Sequence, residues 1–168
     1  MKYKLQLLFL CVLVTIGLVV NSCSKDTQNN IQTLFVGSQW ELASVQVTHY
    51  IGASQVGLVD TLNTNCNNIQ LFKFNADNTC TYTNFDCLPN TTAKGHWSLS
   101  ADQLFLYAGD LVVQDTTTNH NSKPFQTARI VNLGQYSLIL QTGNLETYYP
   151  PTMARTITQY GFIRQKIQ

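Results

Sequence analysis

The chain has 168 residues, 44% of them apolar and only 11% charged, with ten basic and nine acidic side chains. A soluble domain is usually about a quarter charged, and a disordered chain pairs low hydrophobicity with high net charge. This composition therefore excludes long disorder, and a net charge of +1 with no Lys/Arg stripe excludes binding to nucleic acid by bulk charge. The length predicts one domain.

At the amino terminus Lys2 and Lys4 precede a mostly apolar run from Leu5 to Val20, interrupted by Gln6, Thr15 and Gly17. Those 16 residues fall short of the roughly 20 that a spanning helix needs, and polar chain follows at once, so the segment reads as a secretory signal. Val20-Asn21-Ser22-Cys23 resembles the bacterial lipobox. The resemblance implies cleavage before Cys23 and acylation of its sulfur and its new amino group, which anchors the chain because two or more acyl chains hold a membrane stably. The expected organisation is a lipoprotein signal peptide over 1–22, a lipidated cysteine and polar tether over 23–32, and a β-barrel domain over 33–168. Loss of the signal takes two lysines and no acid, leaving eight basic against nine acidic side chains.

From Ile31 onward no helical stripe of ten residues recurs; short alternating runs bounded by turn residues do. Trp40–Tyr50 is a long first strand with Ala43, Val45 and Val47 on one face and Trp40 and Leu42 on the other, which predicts a bulge near Ala43 and Ser44. Gly52–Gln55 turns it into a short strand over Val56–Asp60. Ile69–Asn75 and Thr79–Phe85 flank Ala76-Asp77-Asn78, a hairpin turn because Asp and Asn tolerate the left-handed region. Gly95–Leu99 and Leu104–Ala108 form a second hairpin, Gly109-Asp110 leads into Leu111–Asp115, and Phe125–Asn132 with Ser137–Gln141 form a third. After Tyr148-Tyr149-Pro150-Pro151, which no central strand holds, Ala154–Gln165 closes the set. The sum is all-β: about eight or nine antiparallel strands in an up-and-down meander with no crossover helix, closing into a barrel or sandwich. The longest polar loops, and so the candidates for gating a cavity, are Leu62–Asn68, Asp86–Ala93 and Thr116–Lys123.

Several motifs then follow in a recognisable order: Gly37-Ser38-Gln39-Trp40, Cys66, Phe72, Phe74, Asp77-Asn78-Thr79, Cys87, Gly95-His96-Trp97-Ser98-Leu99 and Leu104-Phe105-Leu106. The chain resembles the lipocalin-like lipoproteins of Bacteroidetes, with Asn78 where the family's turn has glycine. The resemblance implies a lipocalin-like barrel able to hold a small hydrophobic ligand, lipid anchorage at the outer membrane on either its periplasmic or its surface-exposed face, and a Cys66–Cys87 disulfide. Fold does not imply activity.

Of the remaining side chains few point to chemistry. Cys80 shares the strand parity of Tyr82 and reads as a buried small hydrophobe. His49, His96 and His120 are scattered, whereas zinc needs at least three convergent ligands, so no metal and no cofactor are expected. Asp77, Asp86, Asp102 and Asp110 sit in turns, and no hydrolase, phosphate-loop or dinucleotide motif occurs. Trp40, Phe72, Phe74, Tyr82, Trp97 and Phe105 are candidates for core or ligand lining, and Tyr148 and Tyr149 for surface recognition. The functional expectation is a non-enzymatic, membrane-anchored barrel with a small apolar ligand in its mouth, or else a module presenting loops to a protein or glycan. Replacing Cys23 by Ala is expected to abolish incorporation of a fatty-acid probe; a variant that still labels would remove the anchor.

Overall fold

The computed structural model describes residues 31–62, 66–115 and 120–165, and Leu34–Gln168 forms one compact unit. Cys23, the signal and the tether up to residue 30 lie outside the described residues, as do parts of two of the polar loops, 63–65 and 116–119. Residues 31–35 are helical, and Val36 makes an isolated bridge with Phe74.

β1 runs over Gln39–Ile51, and its register against the last strand slips between Leu42 and Ser44, where the alternation of the sequence breaks. The bulge brings Trp40, Leu42 and Val45 all inside. β2 (Ser54–Leu62) is longer than its apolar pattern predicts and exposed along its whole length, paired on one side with β1. β3 (Leu71–Phe74) and β4 (Thr79–Thr83) form a hairpin whose turn works as its residues require. Asn78 adopts the left-handed conformation at φ 64°, and Asp77 Oδ1 accepts hydrogen bonds from the Thr79 backbone N–H at 3.0 Å and hydroxyl at 2.6 Å.

A 3₁₀ turn over Phe85–Cys87 ends β4 earlier than alternation alone predicts, and β5 (Thr92–His96) begins inside the stretch read as loop. β6 (Ser98–Leu99), β7 (Phe105–Tyr107), β8 (Val113–Asp115), β9 (His120–Ser122), β10 (Ala128–Leu133), β11 (Ser137–Gly143) and β12 (Ala154–Arg164) complete the order. β8 and β9 pair with each other as a separate two-stranded sheet, so part of the loop expected over Thr116–Lys123 is strand.

The main sheet runs β5-β4-β3-β1-β12-β11-β10-β7-β6, every pairing antiparallel. Its two ends, β5 and β6, are one stretch of chain interrupted only at Trp97, so the sheet comes back on itself as a nearly closed up-and-down barrel. Counted as a single bent strand, that stretch bonds β4 with its first half and β7 with its second.

Connectivity separates the two ends. One end holds the short turns between β3 and β4, β6 and β7, and β10 and β11, and receives the chain from Leu34. There the Arg164 guanidinium lies 5.5 Å over the Trp40 ring and donates to the Leu34 carbonyl at 3.2 Å, while the Trp40 indole N–H reaches the Phe35 carbonyl. The β4–β5 loop and the connections flanking β8 and β9 lie at the other end.

One inward assignment is corrected. β7 turns Leu106 inside, fully buried, and leaves Phe105 half-buried on the outer side. Leu104-Phe105-Leu106-Tyr107 is apolar at every position, so neither parity stands out; pairing of Leu106 with Leu99 and Ala128 decides it. Leu106→Ala is accordingly expected to cost about 2–5 kcal/mol, as large-to-small core changes do, and Phe105→Ala clearly less. Urea unfolding of the two variants measures the order, and a larger loss at Phe105 would reverse the parity.

Candidate functional site

The predicted aromatics converge, but on one another. Trp40, Phe72, Phe74, Tyr82 and Trp97 are all buried, and Phe72 alone packs on Phe74 at 4.2 Å, Phe125 at 4.9 Å, Tyr82 at 5.1 Å and Phe162 at 6.1 Å. Phe35 sits edge-on to Phe74 and tilted on Trp97. The middle of the barrel is therefore packed core. Phe125, expected to open a strand, instead leaves the chain between β9 and β10 and drives its ring inside, stacked on Tyr82 at 5.7 Å. Burial pushes the Tyr82 hydroxyl well above its ordinary range, so it stays protonated.

Space remains at the loop end. A cleft of about 300 Å³ opens between the β4–β5 wall and the β8–β9 hairpin, lined by Tyr82, Phe85, Ala93, Val112 and Val113, with Thr91, Thr92, Gln114 and Asn121. Its size stands at the lower bound for small-molecule sites. None of the lining residues carries a charge.

Two devices shape this cleft. One is the loop from Asn84 to Thr91, where Asn84, Asp86, Cys87 and Asn90 all take positive φ. Gln70, buried to 6% exposure, holds it: the amide oxygen accepts from the Asp86 backbone N–H at 3.0 Å and the Tyr82 hydroxyl at 3.5 Å, while the amide nitrogen lies 3.4 Å from the Cys66 sulfur. Cys66 and Cys87 form a disulfide with Cα atoms 5.5 Å apart. In the chain-entropy account such a loop adds about 3 kcal/mol.

The other device is the strap from Ala108 to Val113, which carries β8. Leu111 and Val113 are buried, and the strap passes so close to β5 that a Cβ on Gly95 would meet the Leu111 backbone nitrogen at 2.8 Å. Glycine is required there for close approach. Asp110 latches the strap: one carboxylate oxygen accepts from the His96 backbone N–H at 2.7 Å and the other lies 2.6 Å from His96 Nδ1.

The other candidates have structural partners. Cys80 is buried with no disulfide, and desolvation pushes its thiol up to about 12, far from a reactive thiolate at neutral pH. His49 lies between Thr156 Oγ1 at 3.1 Å and Asp60 Oδ2 at 3.4 Å, in the order of an acid-base relay, but on an exposed sheet face. Relay chemistry also needs a cavity and oxyanion donors, and the described cleft does not include these residues. Among the described residues no group of three or more His, Cys, Asp or Glu side chains could hold a metal ion.

Tyr149 is not free for recognition. The Arg155 guanidinium stacks on it at 3.5 Å, lies 5.1 Å from the Tyr50 ring, and donates twice to the Gly52 carbonyl. Tyr148 beside it is 97% exposed. Gln70, Phe85, Phe125 and the strap valines were not among the residues singled out from sequence. Their only local signals are Asn84-Phe85-Asp86-Cys87 as a turn cluster beside a cysteine and Pro124 preceding Phe125.

No protein-family model matches the chain, and no curated protein matches it.

The latch has a pH dependence of definite sign. Hydrogen bonds from the His96 backbone and then its side chain hold the Asp110 carboxyl below its ordinary value of 3.8. A depressed carboxylate contributes stability that is complete above the unfolded value and lost as pH falls through the lower, folded one. Asp110→Asn is therefore expected to melt below the wild type at neutral pH, with the gap closing as pH falls under 3.8, since Asp77 and Asp102 titrate equally in both proteins. Calorimetric melting from pH 7 to pH 2 reads the gap; a constant difference would detach the carboxylate from the strap.

Proposed function

We propose that this chain is a non-enzymatic, lipid-anchored, lipocalin-like barrel of the bacterial outer membrane that takes a small, largely apolar ligand into the cleft at its loop end. The observation that carries the reading is that cleft: about 300 Å³ of space with Tyr82 and Phe85 against it, beside a two-stranded flap, at the loop end of a barrel whose described core is packed with rings. Anchorage rests on the signal-like run and Cys23. Because the chain enters β1 from the short-turn end, the loop end is the one opposite that entry.

A second reading has its own support. Tyr148, 97% exposed, and Leu58, 88% exposed, are large apolar side chains offered to solvent. They favour a module that presents its surface to a protein or glycan.

Native mass spectrometry of the protein purified from its own host separates the two. Ligand binding predicts a co-purifying small molecule that is lost when Ala93→Trp fills the cleft and retained in Tyr148→Ala. A wild-type protein without any adduct favours the presenting module.

A further inference from the structure

We propose that Arg155 forms a second binding site, apart from the cleft, for the carboxylate of a small organic acid. None of its residues lines the cleft, so the site stands whether or not the ligand-binding reading above holds. Arg155 is the one buried cation among the described residues, 7% exposed, and lies on β12 directly opposite Tyr50 of β1. Burial takes a guanidinium out of water, and a charge so placed ordinarily has a counter-ion. Arg155 has none among the described residues, whose ion pairs are His49–Asp60 and His96–Asp110. What holds it is the Tyr149 ring at 3.5 Å and one carbonyl, that of Gly52.

Its donors are only partly used. A guanidinium carries five N–H groups in a fixed fork, with one paired edge along Nε and Nη2 and another along Nη1 and Nη2. Nε and Nη2 both donate to the Gly52 carbonyl, at 3.2 Å and 2.9 Å, which takes up the first edge. Nη1 makes no hydrogen bond with a described residue. Nor is it enclosed, since Arg164 Nε is the one described side-chain nitrogen or oxygen that is both buried and unpartnered. The second edge therefore reaches the surface with paired N–H groups, the arrangement that the two oxygens of a carboxylate match.

The edge is oriented before any ligand arrives. Gly52 sits between β1 and β2 at φ 57°, where a Cβ would collide with the Pro151 carbonyl, and its N–H donates to the Met153 carbonyl at 2.8 Å. The carbonyl that holds Arg155 is thus clamped to the β11–β12 connection, and stacking on Tyr149 fixes the plane of the guanidinium. A ligand loses little freedom to a donor pair already in place. Charge and access narrow the choice further. One guanidinium, with Tyr50, Tyr149 and Gly52 packed on it and no second cation among them, balances a single negative charge, whereas a phosphate group carries about two. A residue only 7% exposed admits the tip of a ligand, so a carboxylate projecting from a small body fits and a broad polyanion does not.

The chain has three arginines, Arg129, Arg155 and Arg164, so isotopic labelling of arginine nitrogens lets magnetic resonance read the site directly. The test titrates a matched pair, benzoate and benzamide, into the full chain in lipid nanodiscs at pH 7 and constant ionic strength. Benzoate is expected to shift the Arg155 Nε–H signal saturably, with a dissociation constant of about 1 mM or tighter, and benzamide to leave it in place. Arg155→Lys, which keeps the charge and loses the fork, is expected to weaken benzoate at least about tenfold by calorimetry. Tyr149→Leu, which keeps the arginine and loses the stack, is expected to weaken it at least about threefold. The wild-type comparison and Tyr149→Leu decide the matter if Arg155→Lys does not fold. Ala93→Trp, which fills the cleft, is expected to leave the Arg155 shift unchanged. The absence of a saturable shift, equal shifts at all three arginines, or an equal response to benzamide overturns the site. Loss of the shift in Ala93→Trp assigns the acid to the cleft and overturns it too, and tighter binding of inorganic phosphate overturns the choice of carboxylate.

Discussion

A sheet bent into a barrel this small has an interior that side chains must fill, and in this chain the filling is done by rings. Phe72 contacts rings from β3, β4, β12 and the β9–β10 connection, so strands far apart in sequence are registered against one another through a single side chain. Because rings interlock at tilted and edge-on angles, a slip of any one strand would break several contacts at once. The barrel has few charges to spare for this purpose. Its single described guanidinium–indole contact, Arg164 over Trp40, is spent closing the short-turn end.

Filling the middle forces the question of where the remaining chain goes. The connection from β7 to β10 is too long for a hairpin turn, and among its described residues Ala108, Leu111, Val113 and Phe125 are buried. The connection thus acts as a plug, and the cleft is what its shape leaves uncovered. Small residues along β5 make this possible. Gly95 gives the strap its path, and Ala93 leaves the space that a larger side chain would occupy.

How much of this was legible depends on whether the deciding contact is local. The bulge in β1 could be read because apolar residues change parity inside one strand, and the Asp77-Asn78 turn because both residues act on their own backbone. The Cys66–Cys87 pairing came from the resemblance, and the disulfide is present. Phe105 could not be placed, since a run apolar on both faces carries no parity and the answer lies in strands β6 and β10. Phe125 and the strap were hidden for the same reason: each is local coil whose burial is set by space that distant strands enclose. Gln70 gave no signal at all, because a polar residue before a strand is ordinary until its partners, the disulfide and Asp86, are brought beside it.

The two walls of the cleft are held by unlike means. The Asn84–Thr91 wall is fixed covalently by the disulfide and by backbone hydrogen bonds, including Asn84 N–H to the Thr91 carbonyl at 2.8 Å, and four left-handed residues give it little freedom to rearrange. The flap opposite is a two-stranded hairpin that, among the described residues, pairs with no strand of the barrel, and a hairpin of that size has little stability of its own. Its position derives from what precedes and follows it, Leu111 and Val113 on one side, Phe125 on the other and the exposed Asp110 latch, and from the contact of β8 with the 3₁₀ turn over Phe85–Cys87. An exposed latch adds modestly, and buried apolar anchors at both roots hold the flap in place. The flap's place thus depends on apolar burial at its roots, whereas the wall opposite stays where the disulfide puts it.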